Sequence, residues 1–328
     1  MPFERRQALK LAALSPAVLT TLLACPALAQ SDWPSRPIRM VIPYPPGGAS
    51  DIIARMLAPH MTELLGQTLV VENRPGANGF IAAEYVARST PDGYTLLMGN
   101  AGPNATGPAL YGSRTPYDPI RDFSSIMAVS IVPTVVAVHP SVPARNFSEF
   151  LAHVRALQGR FSYGTAGVGS AGHMGMELLK SQTGIDMTHI PYRGSGPTVA
   201  DLIAGVIPMS CDTAPVQLPH SQAGRVRAIA TGALQRMPDA PDLPTIAETV
   251  PGFETVSWGG VMGPAGLPQA LVLRLNAALG TSMERISPQL ASQGIQPQRG
   301  TPEEFATYVA AEVRKWTEVV QKMGLRPE

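Results

Sequence analysis

The chain has 328 residues, with 25 lysines and arginines against 24 aspartates and glutamates, a formal net charge of +1. That balance leaves no electrostatic footprint for nucleic acid or an anionic membrane surface. The length suits two domains of ordinary size, and the 33 prolines and 31 glycines fall between periodic segments, which means many tight turns and not disorder.

The chain opens on Arg5-Arg6-Gln7-Ala8-Leu9-Lys10, followed by an apolar run from Leu11 to Leu23 that is too short to span as a mature helix. Ala27-Leu28-Ala29 gives the small-x-small pattern of signal cleavage, so residues 1–29 read as an export signal, of Sec or twin-arginine type. Leu22-Leu23-Ala24-Cys25 is a weaker lipoprotein box, disfavoured by Pro26 and by the better site at Ala29. Cleavage leaves 22 basic and 23 acidic residues, and Cys211 as the one cysteine, so no internal disulfide can form. Cys211 ends the apolar run from Val206 and reads as a buried structural thiol. No other stretch is long and apolar enough to cross a membrane.

The run Ile38–Ile42 predicts a buried strand and Ser50–Leu65 an amphipathic helix, with Pro43-Tyr44-Pro45-Pro46-Gly47-Gly48-Ala49-Ser50-Asp51 between them. Gly47 and Gly48 permit backbone angles closed to other residues, and Ser50 or Asp51 is expected to cap the helix. A strand, a Gly-Gly turn and the free amides of a helix start form an anion site from backbone alone, which points to a carboxylate ligand. Further strands are predicted near Leu69–Glu72, Thr95–Met98, Ile126–Val129, Val135–Val138, Arg160–Tyr163, Met187–Ile190, Ile207–Cys211, Val226–Thr231 and Thr255–Val261. Helical periodicity marks Gly79–Ser89, Phe147–Gln158, Ser170–Thr183, Pro197–Gly205, Pro268–Ser282 and Thr301–Met323. The alternation argues for an α/β protein with two open sheets. Ser130 to Pro143 reads as a first crossing between domains, and the proline-rich Met237 to Phe253 as the return.

A second glycine-rich turn runs from Gly164 and Thr165 through Ala166-Gly167-Val168-Gly169-Ser170-Ala171-Gly172 to His173, again between a strand and a helix. Gly167-x-Gly169-x-x-Gly172 fits the dinucleotide fingerprint, but the next strand ends Thr188-His189-Ile190-Pro191-Tyr192-Arg193 without the carboxylate a ribose requires. Nor is it a nucleophile elbow, since Val168 stands where G-x-S-x-G needs glycine. The main-chain amides of Gly47, Gly48, Gly167 and Gly169 are expected to face a bound anion.

The stretch Tyr44 to Asp51 resembles the signature of the tripartite tricarboxylate receptor proteins, also called the Bug or TctC family. Further segments resemble family motifs in the same order: Glu72 to Gly79, Pro91-Asp92-Gly93-Tyr94-Thr95-Leu96, Gly164 to His173, Pro191-Tyr192-Arg193-Gly194, Asp201 to Gly205, Pro241 to Thr245 and Gly263-Pro264-Ala265-Gly266. The similarity spans nearly the whole mature chain. It implies a two-lobed periplasmic-binding-protein fold of type II-like form, each lobe an open, mainly parallel sheet flanked by helices. Lobe 1 would comprise residues 33–133 and 254–328, and lobe 2 residues 134–253. The resemblance also implies a receptor that holds a small carboxylate through backbone amides, hydroxyls and ordered water and delivers it to membrane permease subunits. The two anion-cradling turns and the lack of a catalytic constellation lead us to expect a monomeric binder, not an enzyme, without cofactor or metal. Cys211-Asp212, where the family usually has an aromatic or aliphatic residue before the aspartate, and Asn100-Ala101-Gly102-Pro103 depart from the pattern and bear on which acid fits.

The candidate ligand-binding residues are Tyr44, Gly47, Gly48, Ala49, Ser50, Asn78, Asn100, Thr165, Gly167, Gly169, Ser170, His173, Tyr192, Arg193 and Asp212. Each has a plainer reading beside it. Tyr44 covers the ligand or packs between prolines. Asp51 is a better cap than ligand contact, because a carboxylate beside a bound anion repels it. Ser170 both caps and donates, whereas His173 is more commonly a hydrogen-bonded structural histidine. Arg193 meets the anion or is tied to Asp212 or Asp201. Met174 and Met176 are core filler, and the remaining histidines, His60, His139, His153, His189 and His220, show no metal-ligand spacing. Two other classes share parts of this pattern: a sensor that presents its solute to a signalling partner, and an exported hydrolase, for which no nucleophile, base and orienting group stand at telling spacing.

Overall fold

Strands and helices alternate along the computed structural model, which describes residues 33–326. The export-signal and Cys25 readings lie outside those residues. β1 (Ile38–Ile42) is buried everywhere except Arg39 and turns through residues 43–48 into α1 (Ala49–Leu65). Then come β2 (Leu69–Asn73), α2 (Phe80–Ala87), β3 (Thr95–Asn100), α3 (Gly107–Tyr111), β4 (Phe123–Val138), α4 (Phe147–Leu157), β5 (Ser162–Thr165), α5 (Ala171–Thr183), β6 (Thr188–Pro191) and α6 (Ser195–Ile203). The chain continues with β7 (Met209–Thr213), α7 (Ala214–Gln222), β8 (Arg227–Thr231), β9 (Val256–Pro264), α8 (Gln269–Ala291), β10 (Gln296–Pro297) and α9 (Pro302–Met323).

The strands form a mixed sheet in the order β2-β1-β3-β9-β4-β7-β5-β6, with β8 and β10 also paired to β4. β1 runs parallel to β2 and β3, and β5 runs parallel to β6 and β7. Every pairing of β4 is antiparallel. The two strands expected at Ile126–Val129 and Val135–Val138 are one 16-residue strand, not two strands with a crossing loop. Pro133 lies inside it at the point where partners change. Residues up to Pro133 pair with β9, and Thr134–Val138 pair with β7 and β8. A proline donates no ladder hydrogen bond, so a change of partner there sacrifices little pairing.

Two of the apolar clusters among the described residues lie along this sheet. Val41, Phe80, Leu97, Trp258, Phe305 and Trp316 belong to one, and Val136, Phe147, Phe150, Phe161, Met176 and Phe253 to the other. Cys211 is fully buried in the second, and burial pushes its thiol up to about 12. α9 starts from a capping box, in which Thr301 accepts from the Glu304 amide and the Glu304 carboxylate accepts from the Thr301 amide. Two helices exceed what proline rules suggest. α8 continues past Ser282 through Pro288, and α7, with Pro215 and Pro219, occupies a stretch where no element was expected. The π-helical turn Gly102–Thr106 and α3 were likewise not anticipated.

Candidate functional site

Four helix starts meet at one small chamber. Gly48, Ala49 and Ser50 come from the start of α1, Ser170, Ala171 and Gly172 from that of α5, Ser195 is the first residue of α6, and Thr213 is the N-cap of α7. Tyr44, Pro45, Asn100, Gly102, Ala166, Cys211, Asp212 and Ser257 complete the wall of a cavity of about 60 Å³. One water needs roughly 10–15 Å³ on this measure, so the chamber suits a carboxylate with a few atoms or waters beside it. The first amides of a helix have no intrahelical acceptor, which leaves Ala49, Ser50, Ala171 and Gly172 free to donate here. The four helix ends add partial positive charge without a cationic side chain.

Two hydroxyls are oriented by what they already accept. Asn100 Nδ2 donates to Ser50 Oγ at 3.0 Å, and the His173 amide donates to Ser170 Oγ at 3.2 Å. Each accepts one bond from the protein, and its own proton is left for an acceptor in the chamber. Asn100 is itself fixed, since its Oδ1 accepts from the Gly102 amide at 3.0 Å. Ser170 bonds the main chain of His173 and not its ring. That ring accepts from the Gly169 amide at 3.1 Å and stacks on His189 with centroids 4.1 Å apart. Burial pulls His173 down to about 4, with Glu177 opposing and Lys180 adding to the shift.

Asp212 is 6% exposed, and the two sides of its carboxylate are treated differently. Oδ1 accepts from the Thr213 amide at 2.7 Å and from the Thr213 hydroxyl at 3.3 Å, while Oδ2 is buried without a partner. Burial raises its carboxyl above the ordinary carboxylate range, against the pull of Thr213 and of the nearby Ser195 hydroxyl. Tyr44 donates to Asn78 Oδ1 at 3.0 Å. The residue keeps part of its surface exposed, but its hydroxyl is enclosed, and burial followed by the Asp212 charge raises its pKa.

A second chamber of about 710 Å³ shares Tyr44, Pro45 and Ala166 with the first and is open toward Asn78, Tyr111, Gly167, Tyr192 and Arg193. Arg193 is exposed and forms no ion pair among the described residues. Asp201 instead accepts from the Tyr192 hydroxyl at 2.7 Å.

Of the residues singled out from sequence, Tyr44, Gly48, Ala49, Ser50, Asn100, Ser170 and Asp212 line the inner chamber, and Asn78, Gly167, Tyr192 and Arg193 the outer one. Gly47, Thr165, Gly169 and His173 line neither chamber. Three of the four glycine amides expected to face a ligand are used inside their own turns: Gly47 donates to Asp51 Oδ2, Gly167 to Thr165 Oγ1 and Gly169 to His173 Nδ1. The amides available are those one step later, in the first turns of α1 and α5, because a tight turn satisfies its own donors before the helix begins. The expectation of special angles holds for Gly47, at φ 92°, but Gly48 has ordinary angles of −84° and 167°. A Cβ at Gly48 would meet the Ser195 hydroxyl at 3.9 Å, an ordinary contact, so neither backbone angle nor space demands glycine there. Neither Ser50 nor Asp51 caps α1, whose N-cap is Gly48 without a side-chain cap bond, because both already lie inside the first turn. Burial works against the Asp51 charge, but bonds from Arg55, Asn73 and Gly47 hold its carboxyl below the usual range.

A family model described as tripartite tricarboxylate transporter family receptor matches residues 53–325. The chain belongs to that receptor family. Among solved structures it is similar to R. palustris Rpa4515 with adipate, at TM-score 0.87 and 36% identity over 90% of this chain and 100% of that one. It is also similar to the periplasmic binding protein BugD, at 0.85 and 33% over 90% and 100%. MatC (Rpa3494) from Rhodopseudomonas palustris with bound malate follows at 0.82 and 32% over 88% and 99%. The fold is therefore the two-lobed α/β fold of periplasmic solute-binding proteins, and the tripartite tricarboxylate transporter receptors are a binding family, not an enzyme class. No helix among the described residues is long and apolar enough to cross a membrane.

In this receptor, sequence reasoning missed Ser195, Thr213 and Ser257 as wall residues. Ser195 follows Gly194 at a helix start, a signal of the same kind as Gly48-Ala49-Ser50. Ser257 sits on β9, about ninety residues beyond the second turn, and nothing local marks it.

Proposed function

We propose that this protein is an exported periplasmic receptor that captures a small organic acid, with one carboxylate in the inner chamber and the rest of the molecule in the outer one, for delivery to membrane permease subunits. The observation that carries the reading is the convergence of four helix starts and two outward-donating hydroxyls on a chamber without a cationic side chain. Such a site attracts an acceptor-rich anion and offers an ammonium group little. The outer chamber, within the usual size range of ligand pockets, accommodates a chain that ends near Arg193. The adipate and malate bound by the two neighbours are acids of this description.

The lobes proposed are residues 33–133 with 254–328, and residues 134–253. The change of pairing partner at Pro133 supports this division, as does the fact that each side contributes helix starts to the chamber. Closure about β4 and the return segment would bring α1 against α5 and α6 around the ligand.

Differential scanning fluorimetry against mono-, di- and tricarboxylates, adipate and malate included, followed by calorimetric titration, tests the reading. A ligand that binds only the folded state raises Tm with concentration. Stoichiometric binding of at least one dicarboxylate without turnover is expected. Preference for a cationic or neutral solute over every acid would refute it.

A further inference from the structure

Asp212 is out of place in a cradle for an anion. We propose that Asp212, as a neutral carboxylic acid, recognises the ligand, its Oδ2–H donating to the bound carboxylate, so that capture takes up a proton at this position. The inference rests on the carboxylate reading above and adds to it the protonation state of one wall residue.

Three observations on the structure carry it. Asp212 lines the same chamber as Ser50, Ser170 and Ser195, so a carboxylate seated among those hydroxyls lies beside it. Its Oδ1 is committed to Thr213, and its Oδ2, buried and without a partner, is the atom left for a ligand. No cation compensates it, since no ion pair among the described residues includes Asp212.

The elements packed against β7 supply none either. α5 carries His173, Glu177 and Lys180, and Lys180 is paired with Glu177 at 2.8 Å. α6 carries Asp201, which holds Tyr192, and α7 carries His220. The β4 residues opposite, Thr134–Val138, are not ionisable, β5 adjoins β7 only through Gly164, and from the α1 side the enclosed, uncharged Tyr44 faces Asp212.

Two carboxylates sharing a small site cannot both remain ionised, because the second charge is repelled and poorly solvated. One proton resolves this. It comes from solvent, resides on Oδ2 and forms a charge-assisted O–H···O⁻ bond, the shorter and stronger kind. The raised carboxyl of the empty site is consistent with this, since burial has already moved Asp212 toward the protonated form. An ionised Asp212 would instead accept a bond and favour solutes with an ammonium or hydroxyl group at that position.

The test is calorimetric titration with adipate or malate, whichever raises Tm more, between pH 6.5 and 9, where both carboxylates of either ligand stay ionised. Each pH is run in two buffers of different ionisation enthalpy. Affinity is expected to fall as pH rises, approaching tenfold per pH unit, with up to one proton taken up per ligand bound. Asp212→Asn keeps a donor and removes the proton, so its affinity should not vary with pH and its binding should take up no proton. The buffer comparison on the unmodified protein tests the idea even if that variant folds poorly. Wild-type affinity that is flat over this range without proton uptake, or a slope that survives in Asp212→Asn, would overturn the inference while leaving carboxylate binding intact. Failure to bind any acid in the panel would overturn both.

Discussion

The approach of α5 to β7 sets the width of the inner chamber, and Gly172 is the contact between them. A Cβ added at Gly172 would lie 2.1 Å from the Cys211 carbonyl oxygen and 2.9 Å from its carbon, both backbone atoms that cannot swing aside. Ordinary contact begins near 3.4 Å, so helix and strand must part by about 1.3 Å. Helix propensity alone favours Gly→Ala, by at most about 1 kcal/mol. Overpacking costs about 1–3 kcal/mol and more against rigid backbone, so the clash should win and Gly172→Ala should lower Tm by several degrees. The same shift moves Ser170 away from the chamber. A hydrogen bond near 2.9 Å lengthened by about 1 Å is lost, and one to a charged group contributes about 1.5–3 kcal/mol, which corresponds to affinity roughly 10- to 100-fold weaker. Gly280→Ala is the matched control. It lies within α8 with nothing within 4 Å of its Cβ position and should stabilise by about 0.5–1 kcal/mol without affecting binding. Thermal melts and calorimetry on both variants decide the matter. If Gly172→Ala melts at or above wild type and binds within twofold of it, the packing argument is wrong.

Ser50→Ala and Ser170→Ala should each weaken binding by about 1.5–3 kcal/mol in calorimetric titration with little change in Tm for Ser50→Ala, whereas Ser170→Ala also loses the α5 cap and about 1 kcal/mol of stability. Two histidines, the buried His173 and the half-buried His189, should make the fold acid-sensitive. Burial lowers His173 to about 4 and His189 to about 3, so both stay neutral in the fold while the unfolded chain takes up protons below about 6.5. Their contribution is full above about pH 6.5 and falls as pH drops toward 4 and 3, by about 3 kcal/mol for His173 alone. Urea midpoints at pH 7.5 and 4.5 should differ less in His173→Gln than in wild type; equal differences would count against this account.

Much of the architecture was legible because it is local. Apolar periodicity located β1, α1, α5 and α9 to within a residue or two, and Pro45 to Gly48 and Gly164 to Gly172 declared two turns built to present helix starts. Periodicity failed where tertiary packing overrode proline. β4 runs on through Pro133 because β9 supplies pairing on one side of it and β7 and β8 on the other, and α7 and α8 continue through the exposed Pro219 and Pro288 while their buried faces, Leu218 in one and Ile286 and Leu290 in the other, stay packed. The site divides the same way. Ser50 and Ser170 were visible from their turns, but the identity of the free amides was not, since Gly47, Gly167 and Gly169 spend theirs on neighbours that only three-dimensional geometry reveals. Ser195, Thr213 and Ser257 join the wall through strand order, which places residues far apart in sequence around one chamber. Asp212 could be named from the sequence, yet its meaning depends on an absence that no sequence displays. Among the described residues its Oδ2 has no hydrogen-bond partner and no cation forms an ion pair with it.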